Sequence, residues 1–265
     1  MHLPLSRAIA GRLDVLPEIG STNAELVARA TAGDEPDFSV LVTDNQTAGR
    51  GRLGRSWVAP PGTTIAVSVL LRPAWLTGAG NWGTPGLGWL PLLAGLAMTR
   101  AVESMVTGHE VLLKWPNDVL IDGLKASGIL AELLPSGDAV VIGAGLNLTM
   151  SVAELPVPTA TSLTLNGVSP DALADRALSA YLREFRALYG PFSMAGLDAA
   201  SSGLREAVTR ACGTIGRTVR VELPDGTNLY GRAESLDALG RLMVRPPNGP
   251  PQPVAAGDVT HLRYE

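Results

Sequence analysis

Gly49-Arg50-Gly51-Arg52-Leu53-Gly54 has the spacing G-x-G-x-x-G and follows a strand-like run at residues 39–43. Whether it opens a helix decides between two classes of fold. In a doubly wound α/β sheet such glycines start a helix whose first amides hold a pyrophosphate, and an acidic residue ends a second strand about twenty positions on. Here Ser56-Trp57-Val58-Ala59-Pro60-Pro61-Gly62 follows, whose prolines cannot continue a helix, and no acid ends a second strand at that distance. A dinucleotide-binding sheet is excluded. What remains is a glycine-rich loop bearing Arg50, Arg52 and Arg55. Glycines let the backbone approach a ligand, and guanidinium groups give charge-assisted hydrogen bonds to carboxylate or phosphate of about 1.5–3 kcal/mol each. Taken alone, three such arginines also read as a solvated surface.

The loop spans residues 44–62, longer than compact domains usually tolerate without a function. Before it, Thr22 and Glu25 read as a capping box opening a short helix that Gly33 stops. After it, residues 63–71 read as a buried strand, and 72–87 as an irregular stretch carrying Trp75 and Trp82. Residues 88–106 read as a buried helix ended by Gly108, and 110–114, 119–121 and 128–134 as strands. Residues 140–148 form an interior strand with Gly143 and Gly145, where another segment or a ligand approaches closely. Helices are predicted over 169–189, with Ser169 as cap and Pro170 in its first position, and over about 192–211. From Gly213 the texture becomes short and alternating, at 217–223, 229–235, 241–245 and 259–264. The expectation is an α+β catalytic core over residues 1–212, a mixed β-sheet flanked by helices, and a small β domain over 213–265. Periodicity alone does not give the strand order.

With 46% hydrophobic and 17% charged residues, 265 residues suffice for one large core and a small second domain. Apolar runs stop well short of the roughly 18 residues of a membrane span, and the start lacks the features of a secretory signal, so a cytoplasmic location and no membrane partner are expected. The single cysteine, Cys212, and three scattered histidines give no protein metal site by spacing. A net charge of −4 argues against a chain that wraps nucleic acid.

Five segments occur in order: Gly20-Ser21-Thr22-Asn23, Gln46 to Trp57, Lys114-Trp115-Pro116-Asn117-Asp118, Lys125-Ala126-Ser127-Gly128, and Gly143-Ala144-Gly145-Leu146-Asn147. Together they resemble the biotin protein ligase family, over nearly the whole chain. The resemblance implies a core related to the class II aminoacyl-tRNA synthetases and biotin/lipoate ligases, with a C-terminal SH3-like β-barrel. It implies biotin and ATP as substrates, with Mg2+ carried on the triphosphate, and a lysine of a biotin carboxyl carrier domain as acceptor. By the family motif, Ser21, Thr22, Asn23, Gln46 and the backbone of Arg50 and Gly51 surround the ureido head of biotin, with Gly128 nearby. Arg52 and Lys125 neutralise the biotin carboxylate and the α-phosphate. Arg55, Trp57, Asn117, Asp118 and Asn147 lie at the nucleotide, Trp57 packing against adenine. Asp118 is also the candidate to accept a proton from the incoming lysine.

On their own residues these readings have plainer alternatives. Ser21 and Thr22 are helix caps, Gln46 a solvated loop residue, Lys125 a surface lysine before a strand, Trp57 a core anchor, and Asn117-Asp118 an Asx-turn. The chemistry nevertheless agrees with the resemblance. Biotin presents a ureido group that needs hydrogen bonds and a carboxylate that must meet ATP against like charge, so an amide, hydroxyls and cations are all required. Carboxylate attack on phosphorus needs no base to create the nucleophile, which accounts for a site without a Ser-His-Asp or Cys-His set. The arginine loop is expected to fold down over a reactive adenylate, ordering only when ligand charge is present. About fourteen residues precede the core, fewer than a helix-turn-helix module needs, so DNA regulation is not expected. A lipoate ligase and a non-catalytic sensor of biotin are the competing readings.

Overall fold

The computed structural model describes residues 1–33, 35–73, 76, 84–223, 225–255 and 258–261. Trp75, Trp82 and the end of the strand expected over 259–264 lie outside them. The chain opens with helix α1 (Pro4–Ile9) and strand β1 (Arg12–Val15), neither of which the sequence announces. The helix is tied into the core, where the Asp175 carboxylate accepts from the Ser6 amide at 2.9 Å and the Ser6 hydroxyl at 2.7 Å, and the strand by pairing with residues 39–42.

Helix α2 (Thr22–Ala32) is capped by Ser21, whose hydroxyl accepts from the Ala24 amide. The expected capping box is therefore displaced by one residue, and Glu25 pairs with Arg29 at 2.8 Å rather than reaching back. Strands β2 (Ser39–Thr43) and β3 (Thr64–Leu71) lie where expected. Helix α3 (Leu90–Glu103) ends three residues before its expected end at 106, turning through Ser104. Strands β4 (Val111–Lys114), β5 (Asp118–Ile121), β6 (Leu124–Leu133) and β7 (Val140–Asn147) follow. The sheet runs β1-β2-β3-β7-β6-β5-β4, with β1 parallel to β2 and every other pair antiparallel, so it is mixed.

Alternation divides this sheet into two faces. Val67, Val69, Ile142 and Ala144 meet α3 and helix α4 (Leu173–Met194) in the main core. Leu41, Leu70 and Val141 face α2 with Leu26 and Ala30. Helix α4 starts later than predicted: Pro170 and Leu173 close a turn, Ser169 caps only Asp171, and Ala172 is left-handed. It also runs through Pro191, because the fully buried Phe192 draws the last turn into the core. The second helix of this region shrinks to α5 (Leu204–Ala211).

Strands β8 (Thr218–Glu222), β9 (Asn228–Leu236), β10 (Leu242–Arg245), β11 (Gln252–Val254) and β12 (Asp258–His261) form an antiparallel five-stranded sheet. Strand β11, which carries Pro253, was not legible as a strand and occupies an edge. The β9–β10 turn reaches the large domain. Trp89 Nε1 donates to Ala238 O at 2.9 Å, and Trp115 Nε1 donates to Gly240 O at 3.1 Å. Val219, Val221, Leu236 and Val244 belong to the same buried cluster as the large sheet's core.

Candidate functional site

One cleft opens on the α2 side of the large sheet, beyond the N-terminus of that helix. Its floor has almost no side chains: Ala66 of β3, Gly143 and Gly145 of β7 and Gly128 of β6 lie side by side on this face. A Cβ at Gly143 would overlap the Asn23 carboxamide, and one at Gly145 would fall 2.6 Å from ring atoms of Trp57. The glycines expected to permit a close approach do so, with Asn23 and Trp57 as the approaching groups.

At one end the lining is polar and uncharged. The Gln46 Oε1 accepts from the Thr22 amide at 2.9 Å and the Thr22 hydroxyl at 3.2 Å. Ser68 Oγ lies 2.8 Å from Thr22 Oγ1 and 2.6 Å from Asn23 Oδ1, and it donates its one proton to the Asn23 carbonyl. The Asn23 amide in turn donates to Leu130 O at 3.1 Å and to Glu132 Oε2 at 2.7 Å. Ser68 and Glu132 were missed by sequence reasoning. Each left a signal: Ser68 is the one hydroxyl within Ile65–Leu71, and Glu132 repeats the two-residue period of Gly128 and Leu130.

The glycine–arginine segment is a small hairpin rather than a helix. Arg50 bridges Ser56, Gly51 N donates to Arg55 O at 2.6 Å, and Trp57 N donates to Gly49 O at 2.9 Å. Leu53 and Gly54 turn it, both left-handed, with φ of 55° and 74°. Leu53 is largely exposed. Arg50 Nη2 donates to Glu132 Oε2 at 3.1 Å, and Arg52 Nη1 donates to Asn117 Oδ1 at 3.1 Å.

At the other end the lining is charged. The turn at Trp115 and Pro116, whose joining peptide is cis, delivers Asn117 and Asp118 to the start of β5. Asn117 Nδ2 donates to Ile129 O at 2.9 Å, which locks its carboxamide. Lys125 was expected before a strand but lies inside β6, where a bulge opposite Val119 and Leu120 inserts one residue. By simple alternation Ala126 would face the cleft. The bulge instead sends Ala126 into the core and keeps Lys125 on the cleft side, opposite Leu120. Lys125 Nζ lies 2.7 Å from Asp118 Oδ1 and 5.9 Å from the centroid of the Trp57 ring. The Trp57 indole N–H is buried and has no acceptor among the described residues.

Asn147 stands apart from this lining. Its buried amide donates to Thr161 O at 2.9 Å. Thr161 N donates to Lys125 O at 2.9 Å, and Lys125 N donates to Thr159 O at 2.8 Å, so Asn147 braces the strip that holds the bulge. Ser21, Thr22, Asn23, Gln46, Arg50, Gly51, Arg52, Arg55, Trp57, Asn117, Asp118, Lys125 and Gly128 all line the cleft. Chemically it joins a hydrogen-bonding pocket to a place where two anionic groups can be brought together.

Residues 19–147 match the biotin/lipoate A/B protein ligase family, and residues 214–262 match the biotin protein ligase C terminal domain. The chain is 42% identical over 255 residues to the biotin--[acetyl-CoA-carboxylase] ligase of Mycobacterium tuberculosis, covering 95% of this chain and 90% of that one. It is 31% identical to the enzyme of the same name from Paracoccus denitrificans, covering 89% and 95%. Among solved structures, the biotin protein ligase of Aquifex aeolicus in complex with biotin and ATP superposes with a TM-score of 0.72 at 25% identity, over 96% of this chain and 100% of that one.

Proposed function

The chain belongs to the biotin protein ligase family, and from that premise we propose that it activates biotin with MgATP and transfers it to a lysine of a biotin carboxyl carrier domain. The observation that carries this reading is a single cleft with the neutral Thr22–Gln46–Ser68–Asn23 network at one end and Arg52, Lys125 and Asp118 at the other.

In the first step a carboxylate oxygen of biotin attacks the α-phosphorus, the bond to the bridging oxygen of the β-phosphate breaks, and pyrophosphate leaves. Arg52 and Lys125 balance the charge of the meeting anions, so positioning and electrostatics supply the acceleration. Trp57, Asn117 and Arg55 lie at the nucleotide. Asn147 serves the nucleotide end through the strip that holds Lys125. In the second step the ε-amine of the acceptor attacks the carbonyl carbon, AMP departs, and the amine's proton passes to Asp118. Asp118 Oδ1 is engaged by Lys125 in the free protein, so it accepts the proton only after Lys125 has turned to the phosphate. The hairpin of residues 49–55 shields the mixed anhydride from water.

Residues 1–212 form the catalytic domain and 213–265 the smaller one in this reading. No helix among the described residues is long and apolar enough to cross a membrane, and in this reading the reaction is cytoplasmic. The test is incorporation of biotin into a purified carrier domain, with ATP omission and lipoate in place of biotin as controls. Label that appears only with biotin and ATP is the expected result. Absence of ATP-dependent label on any carrier domain overturns the proposal.

A further inference from the structure

Glu132 has no part in the reaction outlined above, yet two halves of the cleft meet at one of its oxygens. Oε2 accepts from the Asn23 amide at 2.7 Å and from Arg50 Nη2 at 3.1 Å. Asn23 is buried, and its carbonyl is held by Ser68, so both ends of its carboxamide are determined. Arg50 stands at the base of the hairpin, where its backbone bridges Ser56. Glu132 belongs to β6 and is paired with Val141 of β7, whereas the backbone bonds of the hairpin among the described residues are few. A charged hydrogen bond from a sheet residue to such a segment lowers its local opening far more than it changes global stability.

We infer that Glu132 is a positioning residue that latches the glycine–arginine hairpin to the sheet and, through Asn23, couples its placement to the polar end of the cleft. The inference rests on the proposed function only for the identity of the ligand that the hairpin covers. Arg50 is engaged by Glu132 at the base of the hairpin, and Arg52 reaches Asn117 at the charged end.

Four variants test it: Glu132→Ala, Glu132→Gln, Arg50→Ala and the double Glu132→Ala/Arg50→Ala. The first readout is amide exchange of residues 49–57 in the free protein. Glu132→Ala should speed this exchange about tenfold while leaving β3 and β7 unchanged. Glu132→Gln keeps an acceptor for Asn23 and loses the charge facing Arg50, so it should loosen the hairpin while staying folded. The double variant should exchange no faster than the faster single variant, because both remove one latch. The second readout is adenylate formation, in which Glu132→Ala should raise the KM for biotin about tenfold and change kcat by less than about threefold. Hairpin exchange unaltered in both Glu132 variants, or effects that multiply in the double variant, overturn the inference. If the native protein does not turn over biotin, the proposed function fails while the exchange measurement still decides the latch.

Discussion

Lys125 Nζ and Asp118 Oδ1 lie 2.7 Å apart, on adjacent strands whose register slips between Val119 and Leu120. The slip puts the pair on one face. Without it Lys125 would point into the α3 core, where an unpaired ammonium is not tolerated. The charge at this end of the cleft is therefore set by the backbone of β6, braced by residues 159–161.

Arg52→Ala and Lys125→Ala should each slow adenylate formation by about 10²–10³-fold, the usual cost of removing a preorganised charge from a transition state. Loss of Arg52 should change stability by only about 0.5 kcal/mol, whereas loss of Lys125 leaves the buried Asp118 Oδ1 unpaired and should cost about 1–3 kcal/mol. Pyrophosphate release under single turnover checks the rate, and an unchanged rate removes both residues from the mechanism.

Asp118→Asn keeps the shape of the side chain and removes its capacity to take a proton. Transfer from preformed adenylate to the carrier domain should slow by about 10²–10⁴-fold, more than adenylate formation does. Mixing isolated enzyme–adenylate with acceptor separates the two steps. Equal slowing of both would leave Asp118 with a purely electrostatic role.

The two floor glycines should fail differently. Gly145→Ala displaces the Trp57 ring, so the KM for ATP should rise about tenfold with little change for biotin. Gly143→Ala strikes Asn23 and should do the reverse. Identical effects on both substrates would show a general collapse of the sheet.

Amide exchange at residues 49–56 should slow when biotin and ATP are both present, because ligand charge adds partners to a hairpin whose backbone bonds among the described residues are few. Equal protection with and without ligands would rule out a covering role.

Burial holds the Cys212 thiol above its ordinary pKa, with backbone and Thr214 hydrogen bonds opposing the shift. Because the fold favours the neutral thiol, its contribution to stability is complete below the unfolded thiol's pKa and is lost as pH rises through the folded value. At pH 8 the folded protein should therefore react with a thiol reagent much more slowly than the denatured chain. Titration of the thiol in native and denatured protein checks this, and equal rates would contradict it.

Where a run of apolar residues has a plain period, the sequence located the element closely: β2, β3 and β7 differ from expectation by a residue at most. Errors arose where local chemistry and tertiary packing disagree. Ser169-Pro170 spells a helix start, but the chain spends that signal on a turn, and Phe192 carries α4 past a proline that should have ended it. Strand β6 begins in polar Lys125-Ala126-Ser127, where a bulge hides the alternation. The motif residues other than Asn147 converge on one cleft. Ser68 and Glu132 escaped because their partners are 45 or more positions away and come within reach only when α2 lies across the sheet.

The tryptophan contacts with the β9–β10 turn bear on how this chain can be shortened. A version ended at residue 212 would bare the faces of Trp89 and Trp115 and strip the main cluster of Val219, Val221 and Val244. Trp115 is also the residue from which the Asn117–Asp118 turn departs. The C-terminal sheet therefore works as a buttress that shares the core's own interior, and removing it to obtain a minimal enzyme would leave a sticky, poorly aligned catalytic half.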